Sequence, residues 1–220
     1  EDSQVLTSAF GSIYVWSSSL KTYDAAFLNN YMQMYGIRSA VISANKDSLT
    51  QARVRDFVKA NHENRSVELM ISNNTLKADQ FDQYITQLGI SDWSNIKAIH
   101  LDVEVHTLPD YKADKASFLN GYVQLVQKAR QFCQINNLEL NVSIPLHYGE
   151  EVNKKLMLIV DNAYFMCYEN TNLSHISKKL NPLDKSKMII ALRTNDFKNR
   201  LEIEQKIKEL QVIGAKGFAV

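Results

Sequence analysis

Asp102 and Glu104 are separated by a single residue in the stretch HLDVEVH (residues 100–106), with His100 and His106 flanking them at the same two-residue step. Ile99, Leu101, Val103 and Val105 alternate with them, so the stretch reads as a buried β-strand with one ionisable face. Carboxylates at that spacing on a strand have Cα atoms ~6–7 Å apart. Two that close cannot both ionise freely, and one is pushed toward its protonated form. A carboxylic acid kept protonated near neutral pH is what a general acid must be, and protonating a glycosidic oxygen is a natural use for it. Trp16, Tyr111, Tyr148 and Tyr168 offer flat faces on which sugar rings could stack.

The elements that must hold these residues alternate along the whole chain. Eight short β-branched runs fall at 12–16, 37–43, 66–72, 97–106, 138–147, 162–169, 187–193 and 215–220. Amphipathic segments separate them. In one, Phe118, Tyr122, Leu125, Val126, Ala129, Phe132 and Cys133 recur at three- and four-residue steps as a buried helical stripe. In another, Ile203, Ile207 and Leu210 repeat the pattern before Gly214, a helix-terminating residue. This alternation predicts an α/β fold of the (β/α)8 TIM-barrel type, as a single domain over residues 1–220. An open doubly wound sheet is the fallback. The final helix of a barrel is missing from the pattern, because the sequence stops at Val220, the end of the last strand.

In a parallel barrel the apolar side of each strand faces the helices and the other side fills the barrel. This phase sends His100, Asp102, Glu104 and His106 inward on the fourth strand. On the fifth it sends Glu139, Asn141, Ser143, Pro145 and His147 inward, and on the sixth Tyr164, Met166 and Tyr168. Tyr14, Trp16 and Arg193 face in from the first and seventh strands, while the second is ambiguous. The result is a polar and aromatic interior. Arg38, Glu68 and Glu139 lie early on their strands, where internal ion pairs near the closed end are expected. Barrel active sites form at the C-terminal ends of the strands. That gives Asp102, Glu104 and Tyr168 as catalytic candidates, with Tyr14, Trp16, His147, Met166, Glu169 and Arg193 as candidates for binding substrate.

The bulk properties narrow the partners. The chain has 220 residues, 45% hydrophobic and 22% charged, with a formal net charge of +1. Without a concentrated basic face, nucleic acid is not an expected partner. No apolar run reaches the ~18 residues of a membrane span. Seven glycines with no GxGxxG or Walker motif give no nucleotide signal, and no cofactor is expected. Cys133 and Cys167 fit no metal spacing and read as buried apolar residues. The first residue, Glu1, is not a methionine, which a removed signal peptide, a tag or a preceding domain would explain. Together with a carbohydrate target, this suggests an extracytoplasmic location, secreted or periplasmic.

Two motifs carry a resemblance. HLDVE (100–104) resembles the end of the fourth-strand signature of family 18 glycoside hydrolases, the chitinases and related barrels: Asp-Gly-x-Asp-x-Asp-x-Glu. MCYE (166–169) is similar to their sixth-strand Met-x-Tyr-Asp. The resemblance implies cleavage of an oligo- or polysaccharide of N-acetylated amino sugars by substrate-assisted retention. Glu104 would be the general acid/base, and Asp102 its partner, orienting the substrate acetamide. Tyr168 would hydrogen-bond the acetamide carbonyl as it attacks the anomeric carbon. Lys97, Ala98 and His100 stand where the family has Asp, Gly and the first inner Asp, and Glu169 replaces the sixth-strand Asp. The family's eighth-strand tryptophan would lie at or beyond Val220.

Three alternatives stay open at this level. Glu104 could pair with Glu169 or Asp196 as acid and nucleophile, their separation setting the stereochemistry. Asp102, Glu104, His106 and His147 could bind a divalent metal for hydrolysis. Or the barrel could bind carbohydrate without cleaving it.

Overall fold

The computed structural model describes residues 10–61, 65–168 and 170–220. In chain order the elements are β1 (Ser12–Val15), α1 (Ser17–Thr22), α2 (Ala25–Met34), β2 (Ser39–Ser43), α3 (Ser48–Asn61), β3 (Ser66–Ile71), α4 (Phe81–Gln87) and β4 (Ala98–Leu101). There follow α5 (Lys115–Ile135), β5 (Glu139–Pro145), α6 (Glu150–Ile159), β6 (Asn162–Met166), α7 (Leu173–Leu180), β7 (Met188–Ala191), α8 (Arg200–Leu210) and β8 (Gly217–Ala219). The strands are all parallel and close in sequential order, with β8 pairing to β1, so the fold is a (β/α)8 barrel. Eight α-helices accompany eight strands among the described residues because the first connection holds two of them.

The helices start and stop where local chemistry dictates. The side chains of Asp24, Asp114, Asn172 and Asn199 each accept a hydrogen bond from a first-turn backbone N–H of α2, α5, α7 and α8. The anticipated stripe on α5 is largely buried, through Tyr122, Leu125, Val126, Ala129 and Cys133. The α8 segment ends in a 3-10 turn (Gln211–Ile213), and Gly214 follows at φ +77°, a left-handed conformation that glycine adopts without cost. Both cysteines are buried and free. Burial pushes each thiol up to about 12, so neither is a nucleophile near neutral pH.

The outer faces of the strands form the main core with the helices, as the alternation predicts: Ile99 and Leu101, Leu140, Val142 and Ile144, Ala163, Phe165 and Cys167. The barrel interior is polar and aromatic, as expected, and it also holds a small apolar cluster. Val41, Met70, Tyr164 and Ala219 form an inner apolar cluster, with Tyr14 and Ile189 packed on it. Val41 also resolves the phase of β2. Buried Glu68, His100, Asn141 and Ser143 lie against this cluster, joined to it through Tyr164 and Tyr14. Of the three groups expected in bottom ion pairs, only Glu68 lies in this network. Glu139 pairs with Lys97 at the half-exposed strand start, and Arg38 is exposed.

Candidate functional site

A hydrogen-bonded chain rises through the barrel toward the C-terminal ends of the strands. Glu68 Oε2 accepts from Asn141 Nδ2 at 2.9 Å and lies 3.0 Å from His100 Nδ1, while Glu68 Oε1 accepts from Tyr164 OH at 2.7 Å. His100 Nε2 lies 2.8 Å from Ser143 Oγ, which in turn lies 3.2 Å from Tyr14 OH. Burial raises the Glu68 carboxyl, but the hydrogen bonds and the charge of His100 outweigh it, so the group is held below its ordinary value.

Asp102 stands above this chain and is only 7% exposed. Burial pushes its carboxyl up, against the opposing pull of His100 and then Ser143. Glu104 is half-buried, and its carboxyl is raised by burial and then by the charge of Asp102. Tyr168 is raised by burial, then by Asp102 and Glu104, so its hydroxyl stays protonated and able to donate. The three catalytic candidates therefore share one electrostatic neighbourhood.

The fourth strand is shorter than its alternation suggests. It ends at Leu101, although the Asp102 N–H still donates to Ile71 O at 2.9 Å and continues the ladder for one step. The chain then turns: Glu104 has φ −93° and ψ 71°, and Val105–Thr107 form a 3-10 turn. Asn74 clamps this turn, accepting from the Glu104 N–H at 2.8 Å and donating to Thr107 Oγ1 at 3.0 Å. Asp102 and Glu104 thus lie just past the strand end, not on one strand face. His106 sits in the turn and His147 is an exposed residue past the end of β5, so neither fills the barrel.

The cleft has two halves that share Tyr168. One, of 330 Å3, is lined by Glu104, His106, His147, Met166, His175 and Lys179 among others. The other, of 710 Å3, is lined by Tyr14, Trp16 and Arg193 and by the aromatic residues of the first connection. Both fall in the range of roughly 300–1,000 Å3 typical of ligand pockets. Trp16 stacks on Tyr14 with centroids 5.9 Å apart and planes 13° apart. Arg193 is exposed rather than interior. Its guanidinium lies 5.6 Å from the Tyr168 ring centre and pairs with Asp196.

No protein-family model and no curated protein matches this chain. Among solved structures, the fold is similar to catalytic domain 2 of the Group II chitinase of Ostrinia furnacalis, with a TM-score of 0.56 and 11% identity, over 83% of this chain and 63% of that one. The chain thus spans less than two thirds of that chitinase domain. It is also similar to a Rhizomucor miehei β-1,3-glucanosyltransferase, with a TM-score of 0.63 and 12% identity, over 96% of this chain and 86% of that one. A tryptophan synthase α-subunit from Pyrococcus furiosus matches with a TM-score of 0.56 and 12% identity, over 98% and 88%. The barrel is common to all three and their named activities are not, so the likeness is one of fold.

Several sequence-based candidates do not meet at the site. Tyr111 and Tyr148 are buried in the core and offer no stacking face to the cleft. Glu169 lies outside the described residues. Asp196 is held by Arg193, with Nη2 to Oδ1 at 2.6 Å. No group of three or more His, Cys, Asp or Glu among the described residues could hold a metal ion, which removes the proposed Asp102, Glu104, His106 and His147 set. Sequence reasoning overlooked the part played by Ser143, which touches His100 and Tyr14, although the phase of β5 puts it inside. It also overlooked His175 and Lys179, whose four-residue spacing on α7 turns both toward the cleft.

Proposed function

We propose that this barrel is a glycoside hydrolase acting on an oligo- or polysaccharide, with Glu104 as general acid/base. The observation that carries the reading is the pairing of Glu104 with Asp102 at the C-terminal end of β4, where burial and like charge raise Glu104 toward the protonated form. A protonated Glu104 at a cleft wall can deliver its proton to the leaving glycosidic oxygen. Tyr168 keeps its proton and can donate to the carbonyl of a sugar acetamide. That carbonyl oxygen attacks the anomeric carbon as the glycosidic bond breaks, and Asp102 holds the acetamide N–H. Water then opens the cyclic intermediate after giving its proton to the Glu104 carboxylate, with net retention. The acetamide step extends to this chain the ligand class of a chitinase domain of similar fold, which has been solved with penta-N-acetylchitooctaose.

The test is hydrolysis of a panel of amino-sugar and neutral oligosaccharides by the parent and by Glu104→Gln. Loss of a general acid predicts a fall of at least ~100-fold. Turnover indifferent to Glu104 would put the site on other residues. Binding without turnover by the folded parent would favour a carbohydrate-binding barrel.

A further inference from the structure

The smaller half of the cleft differs in charge from the aromatic half. Among the described residues, Glu104 is the one carboxylate that lines it, facing His106, His147, His175 and Lys179. The His106 and His147 rings lie edge to face with centroids 4.5 Å apart. His175 and Lys179 come from successive turns of α7 and are exposed toward solvent. Pro145, Leu146 and Met166 supply the apolar part of this wall. Three imidazoles and one lysine side chain from three separate connections therefore converge on a space that opens beside the candidate acid and Tyr168.

We infer that this half of the cleft is a subsite for an acidic sugar, a unit bearing a carboxylate such as a uronate, bound next to the bond that Glu104 protonates. The inference rests on the glycan reading above and names its substrate class. Lys179 supplies a permanent charge, and each imidazole can donate a hydrogen bond to a carboxylate oxygen. The field inside the pocket agrees: burial and then the charges of Lys115 and Lys179 hold His147 down, and burial and then His147 hold His106 down. An anion placed among them favours the protonated imidazoles, which a neutral sugar does not. An acetamide beside Tyr168 and a carboxylate beside His147 are compatible when they belong to neighbouring units of one chain. Such a chain alternates N-acetylated and acidic sugars.

The test compares binding of two tetrasaccharides by calorimetry at low salt. One alternates N-acetylglucosamine with glucuronate, and the other is chitotetraose. A sulfated counterpart of the first separates a carboxylate requirement from affinity for any anion. Charge-assisted hydrogen bonds predict at least ~10-fold tighter binding of the uronate chain. That advantage should shrink as salt rises. Lys179→Ala and His175→Gln, both at exposed positions, should each reduce the acidic-to-neutral affinity ratio several-fold. Equal affinities, a preference for chitotetraose, a ratio unmoved by either substitution, or tighter binding of the sulfated chain would overturn the inference. If chitotetraose is cleaved through Glu104 and no acidic preference exists, the acidic subsite falls while the glycosidase reading stands. If no sugar is bound or cleaved, both fall.

Discussion

His100 Nδ1 lies 3.0 Å from Glu68 Oε2 inside the barrel, with the His100 side chain fully buried and that of Glu68 6% exposed. Such a pair is expensive to bury unless its remaining polar atoms are satisfied. Here they are: Asn141 and Tyr164 complete the carboxylate, and Ser143 meets the other ring nitrogen. His100 and Ser143 also hold the Asp102 carboxyl down against its burial, so the pair is coupled to the site above it.

Glu68→Gln should therefore destabilise the fold strongly. Removing one partner of a buried pair costs roughly 3–5 kcal/mol, or a drop in Tm on the order of 10 °C for a chain of this size. The pH dependence has a defined sign. Because the Glu68 carboxyl is lowered on folding, its contribution is complete above the ordinary carboxylate value and is lost as pH falls through the lowered one. Thermal melts across pH should show the gap between parent and variant wide at neutral pH and narrowing in acid. His100→Gln should combine with Glu68→Gln less than additively, as residues in one network do. A gap that widens in acid would refute the assignment.

The barrel and its phase are legible in the sequence because each outer strand face must meet helices, which forces alternation. The end of β4 is not. Asn74, thirty residues away in sequence, captures the Glu104 N–H and turns the chain, and no local pattern around Val103 or Val105 signals that. Both valines are buried beyond the strand, so their alternation mimics more strand than exists. Tyr111 and Tyr148 mislead for a related reason: an aromatic near a strand end can face the cleft or the core, and only packing decides. Asp102 and Glu104 stand out in the sequence because burying two carboxylates has a cost that needs a reason, and Tyr168 by its place on the sixth strand.

Trp16 is 45% exposed and stacked on Tyr14 at the wall of the larger half of the cleft. Trp16→Ala should leave Tm nearly unchanged, since little buried contact is lost. Loss of an aromatic face is worth about 0.5–1.5 kcal/mol, so KM should rise ~2- to 10-fold with kcat little altered. Steady-state kinetics on the substrate identified by the panel checks this. An unchanged KM would take Trp16 out of the binding surface.

Asp102→Asn should move the upper limb of the activity profile. Burial raises the Glu104 carboxyl and the Asp102 charge raises it further. Activity that needs protonated Glu104 is lost as pH rises through that raised value. With asparagine at position 102 the like charge is gone, so Glu104 ionises at lower pH and the upper limb of kcat/KM shifts toward acid. Burial still acts, so the limb stays above that of an exposed glutamate. A limb that does not move, or moves toward base, would show that Asp102 does not act on Glu104 in this way.

Tyr168→Phe separates acetamide assistance from general acid catalysis alone. Burial and the charges of Asp102 and Glu104 keep the Tyr168 proton in place across the pH range, so its hydroxyl is a donor throughout. If that hydroxyl positions an acetamide carbonyl for attack, removing it costs kcat on the order of 10²-fold, as loss of one aimed donor does. The cost should fall on N-acetylated substrates. Their advantage over de-N-acetylated analogues should shrink accordingly, because the analogue has no carbonyl to position. The phenyl ring keeps the contact with Arg193, whose guanidinium lies 5.6 Å from the ring centre, so the fold and the shared wall of the cleft persist. Equal losses on acetylated and de-acetylated substrates would point instead to a structural role for Tyr168, with Glu104 acting through a different second group.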